Sequence, residues 1–70
     1  MPIFKVRRYT SIGRPEAKLH DVEADTELEA AEILCGMRLT PGRRHDRFIR
    51  ADVRRLNDLE THHYFYERMS

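Results

Sequence analysis

The sequence predicts an α+β fold of the order β-β-α-β-β, an antiparallel sheet with one helix on one face. Three observations carry that expectation. An apolar alternation opens the chain, a helix-start signal sits at Thr26-Glu27-Leu28-Glu29, and two β-rich segments follow residue 47. Residues 1–70 are read as a single domain, because a chain this short buries only about 60% of the surface that it exposes when unfolded.

The first strand is expected over Pro2 to Thr10, where Phe4 and Val6 alternate with Lys5 and Arg7. Ser11-Ile12-Gly13-Arg14-Pro15 follows as a turn. A second strand over Ala17 to Ala24 is less regular: Leu19 falls on the face opposite Val22 and Ala24, and a bulge near His20 or Asp21 would reconcile them. Thr26 is the expected N-cap, accepting from the Glu29 amide, while the Glu29 carboxylate reaches back. Leu28, Ala31, Leu34 and Cys35 form the helical apolar stripe, widened by Ala30, Ile33 and Met37, and Gly36 suits the left-handed position that closes the helix.

Thr40-Pro41-Gly42 reads as a type II turn and Arg43 to Arg47 as a loop. Phe48 to Leu56 fits a strand through Ile49, Ala51 and Val53, although Ile49, Val53 and Leu56 also fit a helix. The aromatic segment His62 to Glu67 decides for the strand, since it supplies a second hairpin arm across Asn57 to Thr61. With the first strand central, the expected spatial order of the four strands is 2-1-3-4. The expected core is Phe4, Val6, Val22, Leu28, Ala31, Leu34, Ile49, Ala51 and Val53, with either Phe65 or the pair Tyr64 and Tyr66.

Charge is segregated along the chain. Net charge is +1, yet residues 1–20 carry +4, residues 21–32 carry −6, residues 33–56 carry +5 and residues 57–70 carry −2. A mean hydropathy of −0.73 with 36% charged residues describes a modest core in a very polar shell. Cys35 is the sole cysteine, so no internal disulfide forms and a reducing compartment fits best. No run of about 20 apolar residues is present to span a membrane. Lys5, Arg7 and Arg8 interrupt what would be a signal-peptide core, and the expected location is cytoplasmic.

Val22 to Gly36, Ile49-Arg50-Ala51-Asp52-Val53 and Tyr64-Phe65-Tyr66 resemble a group of short uncharacterised bacterial proteins. That group shares an alanine-rich capped helix, a Cys-Gly end and an Ile/Leu-Arg-Ala strand. The resemblance spans about half the chain and implies the strand-strand-helix-strand-strand pattern. No activity and no site residue come with it.

Candidate chemistry is sparse. His62 and His63 are adjacent on a strand and point to opposite faces, and no Cys/His spacing fits a zinc site, so no metal and no other cofactor is expected. Cys35 lies near a helix C-terminus, where the dipole raises a thiol's pKa, the reverse of what a nucleophile needs. The three glycines are scattered, and neither a phosphate loop nor a nucleophile elbow occurs. The chain is therefore read as non-catalytic.

Two functional expectations remain. A small sheet with open edges and one bare face is expected to bind a protein, as a module that pairs with a partner or with itself, including as a homodimer. The alternative is nucleic-acid binding by the bare face, where strand parity places Lys5, Arg7, Arg50 and Arg54, joined for base stacking by either Phe65 or the flanking Tyr64 and Tyr66. Arg43 and Arg44 in the loop would extend that surface.

Overall fold

The computed structural model describes residues 2–42 and 48–67, and they form one five-stranded antiparallel sheet with one helix. Along the chain the elements are β1 (Ile3–Tyr9), β2 (Pro15–Glu23), α1 (Glu27–Cys35), β3 (Leu39–Thr40), β4 (Ile49–Arg55) and β5 (Asp58–Glu67). The sheet order is β2-β1-β4-β5-β3, so the four long strands stand in the order expected from the sequence. The added β3 is two residues long, too short for any alternation to announce it.

Parity divides the sheet. Phe4 and Val6 of β1 turn toward α1, opposite Val22 and His20 on one side, and Val6 lies across from Val53 on the other. Ala51 pairs with Phe65, which settles the choice in β5: Phe65 joins the core, and Tyr64 and Tyr66 take the other face. The buried core comprises Phe4, Val6, Val22, Ala24, Ala30, Ala31, Leu39, Ala51, Val53 and Phe65. Alanine recurs on both sides of the contact (Ala30 and Ala31 on the helix, Ala51 on the sheet), and short side chains let a nine-residue helix lie close to the strands.

Helix α1 starts and stops for the expected local reasons. The Thr26 hydroxyl accepts from the Glu29 amide at 3.1 Å, and Gly36, at φ 68°, donates its N–H to the Glu32 carbonyl. The face it buries is narrower than the stripe read from the sequence. Leu28, Leu34 and Cys35 are only partly buried against the core, while Ile33 is 56% exposed and Met37 is exposed as well. Burial is concentrated on the consecutive Ala30 and Ala31 because the helix crosses a small sheet only once.

Four further expectations are corrected. The irregularity in β2 lies earlier than His20: Arg7 faces Leu19 and Tyr9 faces Pro15, so Glu16, Ala17 and Lys18 stand opposite Arg8 alone, and the strand begins at Pro15. Gly42 lacks the positive φ of a type II turn; its amide donates to the Thr40 hydroxyl at 3.3 Å instead. The β4–β5 hairpin closes at Leu56-Asn57, with Arg55 opposite Asp58, and the extra residues of β5 are absorbed in its first half, where the Thr61 hydroxyl bonds Asp58 at 2.7 Å. Ile49 is outside the core, for a reason that also moves Arg50.

Candidate functional site on the uncovered sheet face

The face turned away from α1 carries no covering element among the described residues. Cross-strand register sets its rows. Leu19, Arg7, Asp52 and Tyr64 follow one another across β2, β1, β4 and β5, and Asp21, Lys5 and Arg54 form the adjacent row. Lys5, Arg7 and Arg54 thus share the face expected for them, and of the two alternatives for β5 it is Tyr64, exposed, and Tyr66, buried, that join them.

Arg50 does not. Ile49 pairs with Tyr66 and Ala51 with Phe65, so β4 places two residues, Arg50 and Ala51, against one step of β5. A bulge of this kind turns neighbouring side chains to the same side. Arg50 accordingly bonds Glu67 at 3.4 Å, and its carbonyl accepts from the Cys35 thiol at 3.6 Å on the helix side. Ile49 takes the place on the bare face that unbroken alternation assigned to Arg50. Arg43 and Arg44 lie outside the described residues.

The centre of the face is a charge network built on Asp52, which is only 3% exposed although no described element lies over the sheet there. His62 Nδ1 lies 2.8 Å from Asp52 Oδ2, and Arg54 reaches the same oxygen at 3.5 Å. Arg7 stands directly across the strand pair from Asp52. Asp52 Oδ1 and the Nε atoms of Arg7 and Arg54 are buried without a hydrogen-bond partner among the described residues. The His62 and Tyr64 rings stack at 5.7 Å and 10°, and Tyr64 is 41% exposed. Burial, then the charge of Asp52, raises the Tyr9 phenol above its ordinary pKa. One row away, Lys5 is bonded to Asp21 at 2.6 Å.

Chemically, the Asp52–His62 contact fixes the orientation of an imidazole. No hydroxyl or thiol of the described residues hydrogen-bonds that ring. His63, paired with Val53, turns to the helix side and diverges from His62, and no group of three or more metal-ligating side chains occurs among the described residues. Burial raises the Cys35 thiol above its ordinary pKa. A cleft of about 450 Å³ opens elsewhere, between the start of β1, the start of α1 and the β4–β5 turn, with Phe4 and Leu56 in its walls and Asp25 and the Glu27–Arg55 ion pair at its lip. No described helix is long and apolar enough to cross a membrane.

Sequence reasoning missed the Asp52–His62 pair as a unit. Parity could have placed both on the bare face, but their contact depends on a β4–β5 register that shifts twice, and no local signal encodes those shifts. No family model matches the chain, and neither a curated protein nor a solved structure matches it.

Proposed function

We propose that this chain is a non-catalytic protein-interaction module of the bacterial cytoplasm, working through its sheet, with self-association into a homodimer as one form of that role. The observation that carries the reading is β2, a nine-residue strand that among the described residues is paired only on its β1 side and forms one edge of the sheet. Its regular stretch, Leu19–Glu23, is an unpaired edge that can template another strand. A 70-residue domain also gains core and stability by association. Sedimentation velocity at micromolar concentration, for the chain alone and for a labelled chain added to native lysate, tests the proposal. Faster species are expected in at least one condition; a lone 8.4 kDa species in both, across salt concentrations, overturns it.

A second reading, single-stranded nucleic acid on the bare face, is supported by the exposed Tyr64 beside Arg7 and Arg54. Rings stack on bases and cations neutralise phosphate. The ion pairs weigh against it, because Lys5 and Arg54 already hold carboxylates of this chain. Titration of labelled single-stranded DNA and RNA at low salt decides: affinity that falls steeply with salt and drops on Arg54→Ala supports this reading, and no binding at about 50 mM salt removes it.

A further inference from the structure

We infer that the free edge of β2 receives an extended, basic segment of a partner protein, a conclusion that rests on the interaction-module reading and gives its partner a chemistry. The geometry starts from one bond. The Ala24 N–H donates to the Pro2 carbonyl at 3.0 Å, and Ile3 is the cross-strand neighbour of Glu23. In an antiparallel ladder that bond marks Ile3/Glu23 as a non-hydrogen-bonded pair, and the alternation then fixes the rest. Phe4/Val22 and Val6/His20 exchange bonds within the sheet. Glu23, Asp21 and Leu19 therefore direct their N–H and C=O groups outward, along an edge that nothing among the described residues covers.

Below Leu19 the ladder is irregular through Glu16–Lys18 and starts at Pro15, two features that blunt a strand edge. The regular, available stretch is Leu19–Glu23. Its charge selects the occupant. Asp21 is held by Lys5, but Glu23, exposed at the C-terminal end of the strand, stands in no ion pair among the described residues. A second copy of the same strand fits poorly. A two-fold on Asp21 sets that carboxylate against itself, and one on Val22 sets Asp21 against Glu23. A two-fold on His20 aligns only Leu19 to Asp21 before the irregular stretch is reached. Like charges directly opposite are destabilising, whereas lysine or arginine on alternate positions of an incoming strand meets Asp21 and Glu23 favourably.

The probe is a labelled octapeptide of alternating Lys and Val, compared with one of alternating Glu and Val. Fluorescence anisotropy with the full chain should show the lysine peptide binding at least about tenfold more tightly than the glutamate peptide, a difference of about 1.4 kcal/mol. The double variant Asp21→Asn, Glu23→Gln should lose most of that preference. Amide exchange followed by NMR reads the mode: the Leu19, Asp21 and Glu23 amides should slow on binding while those of Tyr64 and Tyr66 do not. Alternate N-methylation of the peptide, on the lysines or on the valines, should abolish binding in one of the two forms, with no change to the protein. Binding that leaves the three β2 amides unprotected, or equal affinity for both peptides, overturns the inference. If the peptide fails while sedimentation still shows association, only this edge assignment falls; if both fail, the module reading falls with it.

Discussion

Asp52→Asn is the most direct perturbation of the charge network on the bare face, since it keeps the shape and removes the charge. The Asp52 carboxylate receives His62 at 2.8 Å and Arg54 at 3.5 Å, with Arg7 across the strand. A hydrogen bond to a charged group contributes about 1.5–3 kcal/mol, and stranding one partner of a buried pair costs about 3–5 kcal/mol. The Arg54 and His62 side chains are 19% and 34% exposed, so water takes up part of that loss and the lower range applies. The expected cost is about 2 kcal/mol. Against a total of about 3.5–10 kcal/mol for a domain of this length, that is a large share. Urea unfolding should show a lower midpoint with an unchanged slope, and thermal unfolding a drop of about 8–16 °C. Glu60→Gln, which alters an exposed carboxylate without an ion pair among the described residues, should change stability by less than about 0.5 kcal/mol. A loss below about 0.5 kcal/mol for Asp52→Asn, or a gain, would refute the view that Asp52 holds the face together.

Other outcomes follow from the turns, the cap and the thiol. Gly36→Ala has open space around the new Cβ but keeps φ at 68°, so it should cost about 1–2 kcal/mol in denaturant melts. Gly13→Ala carries the same backbone strain at φ 79° and adds a Cβ 2.8 Å from Phe48 Cδ1, so it should cost more, and Phe48→Ala should recover only the excess. Thr26→Ala should lose about 1 kcal/mol, detectable as a lower urea midpoint, through the Glu29 amide that it leaves uncapped. The Cys35 and Tyr9 pKa values are raised above their ordinary values of 9.0 and 10.0, so the folded state favours the protonated forms. Stability should hold below about pH 9 and fall as pH rises above it. Midpoints measured from pH 8 to 11 should show Cys35→Ala removing the earlier part of that decline and Tyr9→Phe the later part.

Much of the fold was legible because it is written locally. The Thr26 cap, the Gly36 stop and the alternation of Phe4 and Val6 each state one element without help from the rest of the chain. Parity alone carried Lys5, Arg7 and Arg54 to the bare face, but it left open whether Phe65 or the tyrosines would join them, which only the β4–β5 register decides. What escaped depends on register. One extra residue at Arg50 moves Ile49 out of the core and Arg50 off the bare face, and a bulge has no composition that marks it when its residues are ordinary strand formers. Leu39 was missed for a different reason. It is buried from a two-residue strand, held by its amide donating to Glu32 at 3.0 Å, and a single apolar residue after a glycine turn carries no periodicity.

The segregated charge of the sequence takes on another meaning once the chain is folded. Several of its cations among the described residues are already engaged: Lys5 by Asp21, Arg8 by Glu16, Arg50 by Glu67, Arg54 by Asp52 and Arg55 by Glu27. The acidic block of residues 21–32 is consumed in the same way over most of its length. Asp21 and Glu27 hold cations, Glu32 caps the Leu39 amide, and Glu29 sits in the first turn of α1, where the helix dipole favours it. Glu23 and Asp25 have no such employment among the described residues. Glu23 stands where the outward-facing bonds of β2 end, and Asp25 stands at the lip of the cleft beyond it. An ion pair spent inside a fold is neutral to a distant partner, so the field that such a partner meets is set by the residues left over and not by the block totals. By that measure the bare face, the more basic surface on paper, is nearly balanced, and the end of the β2 edge is the acidic surface that remains to be answered.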